Sequence, residues 1–191
     1  VQSLIDSGAD YAAIGEGEKT FNQLATGMPA AQVDGLAYWE NGKAVMSKQS
    51  NEMIGKTESG STTFLMQKDI YTLQVGKLKR EFQLDIDDFG MPDWESIDPR
   101  SYNFEPHGMI IHARPMAPII TTRGCPYSCT YCSAPITAGK RMRTRDPHKV
   151  VDEIEMLVND YGVKEIQIED DNFTLVREHC VAICEEILKR N

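Results

Sequence analysis

No apolar run in this 191-residue chain approaches the roughly 20 residues that a membrane-spanning helix needs. Basic residues are also scarce: 20 lysines and arginines stand against 29 aspartates and glutamates, and a net charge of -9 argues against a broad nucleic-acid surface. The first residues carry neither a basic start nor an apolar block, so we expect no signal peptide. The chain does not begin with Met, and we expect its true N-terminus to lie upstream. These features predict a soluble cytoplasmic protein with no membrane span and no nucleic-acid partner.

The cysteine count does not suit a disulfide framework. The chain has five cysteines, an odd number, and three of them lie within eight residues: Cys125, Cys129 and Cys132. A disulfide scaffold normally shows an even number of spaced cysteines in a secreted protein. The pattern therefore favours metal binding in a reducing compartment.

The last third of the chain predicts alternating strands and helices. Asp146 and Pro147 are typical of a helix start, and Gly162 of a helix end. The apolar patterning predicts strands at 118–122 and 163–168, a helix at 147–161 and a second helix at about 175–189. This β-loop-α-β-loop-α order is typical of a parallel sheet or barrel.

The front of the chain is less regular. Residues 1–30 indicate the end of an α/β unit, with a short buried strand at 11–14. Asn41 and Gly42 predict the turn of a β-hairpin within residues 33–48. Residues 85–115 indicate an irregular linker.

Cys125, Cys129 and Cys132 are spaced as C-x3-C-x2-C. Iron–sulfur clusters are held by cysteine thiolates, and one short loop can reach several corners of a four-iron cluster. Three thiolates would leave one iron open to a substrate or cofactor. A zinc site is the alternative, with His148 as the nearest fourth ligand.

This loop, with Tyr131 just before its last cysteine and a strand before it, resembles the radical S-adenosylmethionine (SAM) superfamily. The resemblance implies a [4Fe–4S] cluster on the three cysteines, with SAM bound at the fourth iron and Tyr131 near the adenine. It further implies reductive cleavage of SAM to a 5′-deoxyadenosyl radical that acts on a small-molecule substrate. An electron donor such as flavodoxin or ferredoxin is the implied partner.

The end of the second strand, at Glu169, Asp170 and Asn172, lies where this family contacts the amino group of SAM. A carboxylate accepts hydrogen bonds from an ammonium group well. The alternative is that Asp171 or Asn172 caps the following helix. The basic stretch 140–145 either neutralises an anionic ligand or is a solvated charge run.

Residues 10–21 resemble the final strand and helix of the cobalamin-binding domain that precedes many radical SAM cores. The resemblance makes Gly15, Glu16 and Gly17 candidate cobalamin contacts; the alternative is a simple tight turn. It implies three parts: the end of a doubly wound cobalamin-type domain at 1–30, a hairpin linker at 31–116, and the first strand–helix units of a partial TIM-type barrel at 117–191. The fold class is therefore α/β.

The implied activity is that of a cobalamin-dependent radical SAM enzyme, transferring a methyl group to an unactivated carbon or cyclising its substrate. The alternatives are a methylthiotransferase-like radical enzyme and a non-catalytic zinc-binding module. A full eightfold barrel takes about 200 residues or more, so we expect this stretch alone to be inactive.

Overall fold

The computed structural model describes residues 7–13, 16–47, 63–66, 70–75, 78–102 and 110–190. The chain forms two compact units, residues 1–84 and 85–191. The domain boundaries predicted at 30 and 116 stay a prediction. Within the described ranges, no helix has the length and apolar character needed to cross a bilayer.

The first unit holds two antiparallel sheets of three strands each. The first sheet has the order β1-β2-β3, and the second has the order β4-β5-β6. Its strands are β1 (Tyr11–Ala13), β2 (Leu36–Glu40), β3 (Lys43–Met46), β4 (Thr63–Met66), β5 (Ile70–Val75) and β6 (Leu78–Gln83), and its helices are α1 (Gly17–Ala25) and a 3-10 turn at Ala30–Gln32.

The predicted hairpin is confirmed as β2 and β3. Asn41 and Gly42 form its turn with φ angles of 51° and 73°. Such angles are accessible to asparagine and glycine and match the twist of the flanking strands.

The predicted strand at the front exists, but its setting differs. β1 pairs antiparallel with β2, with Tyr11 opposite Tyr38. Tyr11 and Ala13 are exposed, so the expectation of a buried strand is wrong. Because β1 pairs with β2, β1 and the hairpin of β2 and β3 form a single sheet.

The second unit pairs two parallel strands, with helices between and after them. β7 and β10 run in register from Met116 opposite Glu165 to Ile119 opposite Ile168. A small antiparallel pair, β8 and β9, lies between them in sequence. The elements are β7 (Met116–Ile119), β8 (Thr122–Arg123), α2 (Ala134–Thr137), β9 (Arg143–Thr144), α3 (Pro147–Tyr161), β10 (Glu165–Ile168) and α4 (Arg177–Arg190).

The ends predicted for helix α3 are confirmed. The Asp146 side chain accepts a hydrogen bond from the backbone N–H of His148 over 2.8 Å, and Pro147 occupies the first turn. Gly162 ends the helix in the left-handed conformation, with φ of 66°. These are the caps that stop α-helices at both ends.

The core of the second unit lies between the parallel strands and the two long helices. Alternate strand residues such as Ala117 and Ile119 face helix residues such as Val150 and Ile183. Trp94 also belongs to this core and is only 6% exposed. The segment expected to be an irregular linker therefore contributes to the core, and it includes 3-10 turns at Ile86–Phe89 and Pro99–Ser101.

Candidate functional site

The three clustered cysteines lie on a loop whose two ends are joined. β8 and β9 pair at the base of the loop, with Thr122 opposite Thr144 and Arg123 opposite Arg143. Inside this base, the Cys125 backbone N–H donates to the Gly139 carbonyl over 3.0 Å. We call residues 124–142 the cysteine loop. It starts five residues beyond the carboxyl end of the parallel strand β7, and α/β folds gather ligands at such strand ends.

Gly124 is the tightest position at the start of the loop. Its φ is 95°, a conformation that other residues rarely adopt. A Cβ atom at this position would collide with the carbonyl oxygen of Arg141. Glycine is therefore required here, which the sequence interpretation did not note.

The three thiols are available to a cluster. All five cysteines of the chain are free, and Cys129 and Cys132 are exposed while Cys125 is partly exposed. A turn links the last two, because the Cys132 N–H donates to the Cys129 carbonyl over 3.2 Å. The Ala134 N–H points at the Cys132 sulfur, 3.4 Å away. Hydrogen bonds to sulfur are one means by which proteins tune iron–sulfur clusters.

Three free thiols on one short loop are the donor type that iron–sulfur clusters use. In the ranges that the structure describes, no three His, Cys, Asp or Glu side chains converge on one point. A four-iron cluster accepts each thiolate on a separate iron, so its ligands need not meet. Closed zinc sites need four convergent ligands. His148, the proposed fourth zinc ligand, instead lies on α3 with its Nδ1 3.1 Å from Glu186.

Tyr131 is the most exposed aromatic residue of the cysteine loop. Its side chain is 91% exposed, beside Cys132. The ring is thus open to a planar ligand, as its predicted adenine contact requires. That contact stays a prediction.

The predicted SAM-binding residues at the end of β10 have different surroundings. Glu169 is exposed, and its backbone N–H donates to the Ile119 carbonyl over 2.8 Å. Asn172 is half-buried. Asp170 differs from both, because its two carboxylate oxygens accept three hydrogen bonds from Thr121 and Thr122. The structure brings these residues to the same strand ends as the cysteine loop.

The basic stretch 140–145 is not a solvated charge run throughout. Lys140 donates to the Ser128 hydroxyl over 2.7 Å, within the cysteine loop. Arg143 is 3% exposed and donates to the Ala138 carbonyl over 2.7 Å. Arg145 pairs with Glu153. These three cations hold the loop and its base together.

Helix α4 carries two further cysteines and one buried histidine. Cys180 is partly exposed and Cys184 exposed, and burial, followed by the neighbouring Cys184, raises the pKa of the Cys180 thiol. His179 is 7% exposed, with its Nε2 2.9 Å from the Arg145 carbonyl. This face of α4 therefore packs against the residue that precedes α3.

The candidate cobalamin contacts lie in the first unit. Gly15 lies outside the described residues. Glu16 precedes α1, and its Oε2 accepts a hydrogen bond from the Gln83 backbone N–H over 3.0 Å. Gly17 begins α1, and a Cβ there would make an ordinary 3.5 Å contact with Ala13. Packing against the described residues therefore does not require glycine at position 17, and its contact with cobalamin stays a prediction.

A cavity of about 940 Å³ lies in the second unit, between the 3-10 turns and β7. Its lining is mainly apolar and includes Phe89 and Trp94. Arg123, which also lines it, lies 4.8 Å above the Phe89 ring centre. Cavities of this size hold small molecules. The three cysteines are not part of its wall.

Comparison with known families decides the class of the cysteine loop. Residues 119–191 match the family described as the radical SAM superfamily. Over these residues the chain is similar to radical SAM proteins. The matched range contains all three loop cysteines and the end of β10, so the resemblance that the sequence suggested is confirmed.

Two relatives extend the comparison. The anaerobic magnesium-protoporphyrin IX monomethyl ester cyclase of Cereibacter sphaeroides is 40% identical over 99 residues, which is 52% of this chain and 15% of the relative. An uncharacterized methyltransferase of Pyrococcus horikoshii is 27% identical over 173 residues, which is 88% of this chain and 30% of the relative. The chain thus spans less than a third of the length of either relative.

A solved structure supports the predicted fold class. The radical SAM methyltransferase TsrM of Kitasatospora setae, with cobalamin and a [4Fe–4S] cluster bound, aligns with a TM-score of 0.59 and 23% identity. The alignment covers 98% of this chain and 31% of TsrM. The α/β, partial-barrel prediction is confirmed by this likeness in fold.

Proposed function

We propose that the chain is the cluster- and SAM-binding part of a radical SAM enzyme. The observation that carries the proposal is the cysteine loop, which presents Cys125, Cys129 and Cys132 at the carboxyl end of β7 within a radical SAM segment. When bound, a reduced [4Fe–4S] cluster supplies the electron that cleaves SAM to a 5′-deoxyadenosyl radical. The protein supplies orientation and excludes water around that chemistry.

The residues around the loop divide the remaining tasks. The exposed ring of Tyr131 is placed to stack on the adenine of SAM. Glu169 and Asn172, at the end of β10, are candidates for its ammonium group. Lys140, through its bond to Ser128, fixes the middle of the cysteine loop. These roles follow from position and chemistry, and they are part of the proposal.

The proposal extends to cobalamin in the parent enzyme. Methyl transfer or cyclisation on an unactivated carbon is the proposed reaction, since the relatives are named as a cyclase and a methyltransferase. The likeness to cobalamin-bound TsrM supports the same choice. Gly15, Glu16 and Gly17 remain the proposed cobalamin contacts, and residues 1–30 the proposed end of that domain.

The proposed setting is the cytoplasm, where a low-potential flavodoxin or ferredoxin would reduce the cluster. The proposed substrate is a small molecule. The mainly apolar cavity of about 940 Å³ beside β7 supports this, because it has the volume of a small-molecule site.

The test is electron paramagnetic resonance of the chain after anaerobic reconstitution with iron and sulfide. We expect a reduced four-iron signal that changes when SAM is added, because the open iron gains a ligand. The triple variant with Cys125, Cys129 and Cys132 changed to alanine is the control and should give no such signal. Stoichiometric zinc binding without any cluster would reject the proposal.

A further inference from the structure

The chain makes a tight corner between β7 and the cysteine loop. β7 ends at Ile119 and β8 begins at Thr122, so Ile120 and Thr121 form the corner. Thr121 is completely buried and Thr122 nearly so. Buried backbone groups at such a corner need hydrogen-bond partners, which strand pairing does not supply here.

Asp170 accepts the hydrogen bonds that this corner donates. Its Oδ1 accepts from the backbone N–H of Thr121 over 2.6 Å and from that of Thr122 over 3.0 Å. Its Oδ2 accepts from the Thr121 hydroxyl over 2.6 Å. Hydrogen bonds to a carboxylate are about twice as strong as neutral ones. Both oxygens of Asp170 are therefore occupied by the corner.

Arg145 supplies the complementary donors. Its backbone N–H donates to the Thr121 carbonyl over 2.9 Å, and its guanidinium donates to the Ile120 carbonyl over 3.1 Å. The guanidinium is itself held by Glu153 over 2.5 Å. Asp170, just after β10, thus accepts from the N–H groups of the corner, and Arg145, just before α3, donates to its carbonyl groups.

We propose that Asp170 is a positioning residue that fixes the direction in which the cysteine loop leaves β7. It does not serve as the ligand of the SAM ammonium group. That the loop binds a cluster rests on the proposed function, whereas the hydrogen bonds from the corner to Asp170 do not. Of the neighbouring carboxylates, Glu169 and Asp171 are exposed and remain open to a ligand.

Two substitutions separate positioning from ligand binding. D170A removes all three contacts. D170N keeps a carbonyl oxygen that still accepts from the two backbone N–H groups, but it removes the charge that an ammonium ligand needs. T121V is a milder second variant that deletes only the hydroxyl contact. D171A is the matched control, with the same loss of charge one residue further along.

The first measurement is amide hydrogen exchange of the full chain without cluster or SAM. We expect D170A to speed exchange at Thr121 and Thr122 by about 10-fold or more, because each amide loses a charge-assisted bond. D170N and T121V should change exchange less than D170A, and D171A should leave it at the wild-type rate. Wild-type exchange at the corner in D170A would overturn the proposal, whatever the cluster does.

The second measurement uses the reconstituted chain. We expect D170A to lose iron to a chelator about 10-fold faster than wild type before SAM is added, and D170N to hold iron and keep its spectral response to SAM. If D170N holds iron but loses the SAM response as fully as D170A, Asp170 is a ligand and the inference is wrong. A wild-type chain that binds no cluster would instead reject the proposed function. The amide exchange of Thr121 and Thr122 would still test whether Asp170 fixes the corner.

Discussion

Trp94 donates its indole N–H to Oε1 of Glu153 over 2.8 Å, and Oε2 of the same carboxylate accepts from Arg145 over 2.5 Å. The Glu153 side chain is 1% exposed. Asp87 joins this network, since its Oδ1 lies 3.5 Å from Nε of Arg145 and its Oδ2 accepts from the Asp146 N–H over 2.7 Å. One buried carboxylate thus ties the segment before β7 to helix α3 and to the base of the cysteine loop.

This network predicts a graded loss of stability. E153A leaves the buried Arg145 without its main partner, so we expect a cost of about 3–5 kcal/mol. W94F removes a single hydrogen bond to a charged group, and we expect about 1.5–3 kcal/mol together with a packing loss. The measurement is urea denaturation followed by circular dichroism.

The control for W94F is W39F in the first unit. Trp39 also donates its indole N–H, to the Ala9 carbonyl over 2.8 Å, but this bond is exposed. Water replaces an exposed partner, so W39F should cost less than W94F. An equal loss of unfolding free energy in W94F and W39F would show that the buried bond to Glu153 stabilises the fold no more than an exposed bond does.

Gly124 predicts a position-specific failure of the cysteine loop. G124A faces both a positive φ and a collision with the Arg141 carbonyl, so we expect a loss well above the roughly 1–2 kcal/mol of the backbone strain alone. G162A is the matched control, because its φ is also positive at 66° but no atom lies within 4 Å of the added Cβ. Thermal unfolding of both variants, with iron content after reconstitution, checks the difference. Similar behaviour of the two variants would contradict it.

The cluster should depend on the loop cysteines and not on those of α4. C132A removes one of three proposed iron ligands, and we expect iron and sulfide content to fall by most of the wild-type value. C184A changes an exposed thiol on a helix and should leave both contents unchanged. Chemical analysis of iron and sulfide after anaerobic reconstitution gives the answer. Loss of the cluster in C184A would place a ligand on α4.

Glu186 predicts that the stability of the second unit falls at acidic pH, a decrease that we call the acid limb. Hydrogen bonds from Arg190 first, then from His148 and Lys189, outweigh burial and lower its pKa from 4.5 to about 2. Because the folded state holds the carboxylate with a lower pKa than the unfolded chain, its contribution is complete above about pH 4.5 and is lost as the pH falls toward 2.

E186Q should therefore flatten this limb. The variant cannot titrate, so its stability should fall less than that of wild type between pH 6 and pH 3, as measured by urea denaturation at the two pH values. E185Q, which changes the exposed neighbour, should keep the wild-type slope. An unchanged slope in E186Q would show that other carboxylates control the acid limb.

Local signals predicted what lies close together in the sequence. The caps of α3 at Asp146 and Gly162 and the turn at Asn41 and Gly42 depend on a few adjacent residues, and each was found where predicted. The cysteine loop was identified for the same reason. Its three cysteines lie within eight residues of one another.

Long-range contacts were beyond such signals. Nothing near Trp94 in the sequence indicates that its partner is Glu153, 59 residues later. Asp170 was predicted to contact a ligand because it follows a strand, and nothing near it in the sequence indicates that it accepts a hydrogen bond from Thr121, 49 residues earlier. Nothing near His179 in the sequence indicates that it is buried beside the Arg145 carbonyl. These outcomes depend on which strands and helices become neighbours.

The pairing of β8 with β9 also bears on how a cluster would be installed. Bringing the ends of a flexible loop together costs entropy that rises with the logarithm of its length. Here strand pairing meets that cost, so an arriving cluster would have to order only the interior of the loop. Cys129 and Cys132 already face solvent. An arriving cluster would therefore meet a loop whose ends β8 and β9 already join and whose last two cysteines are open to solvent.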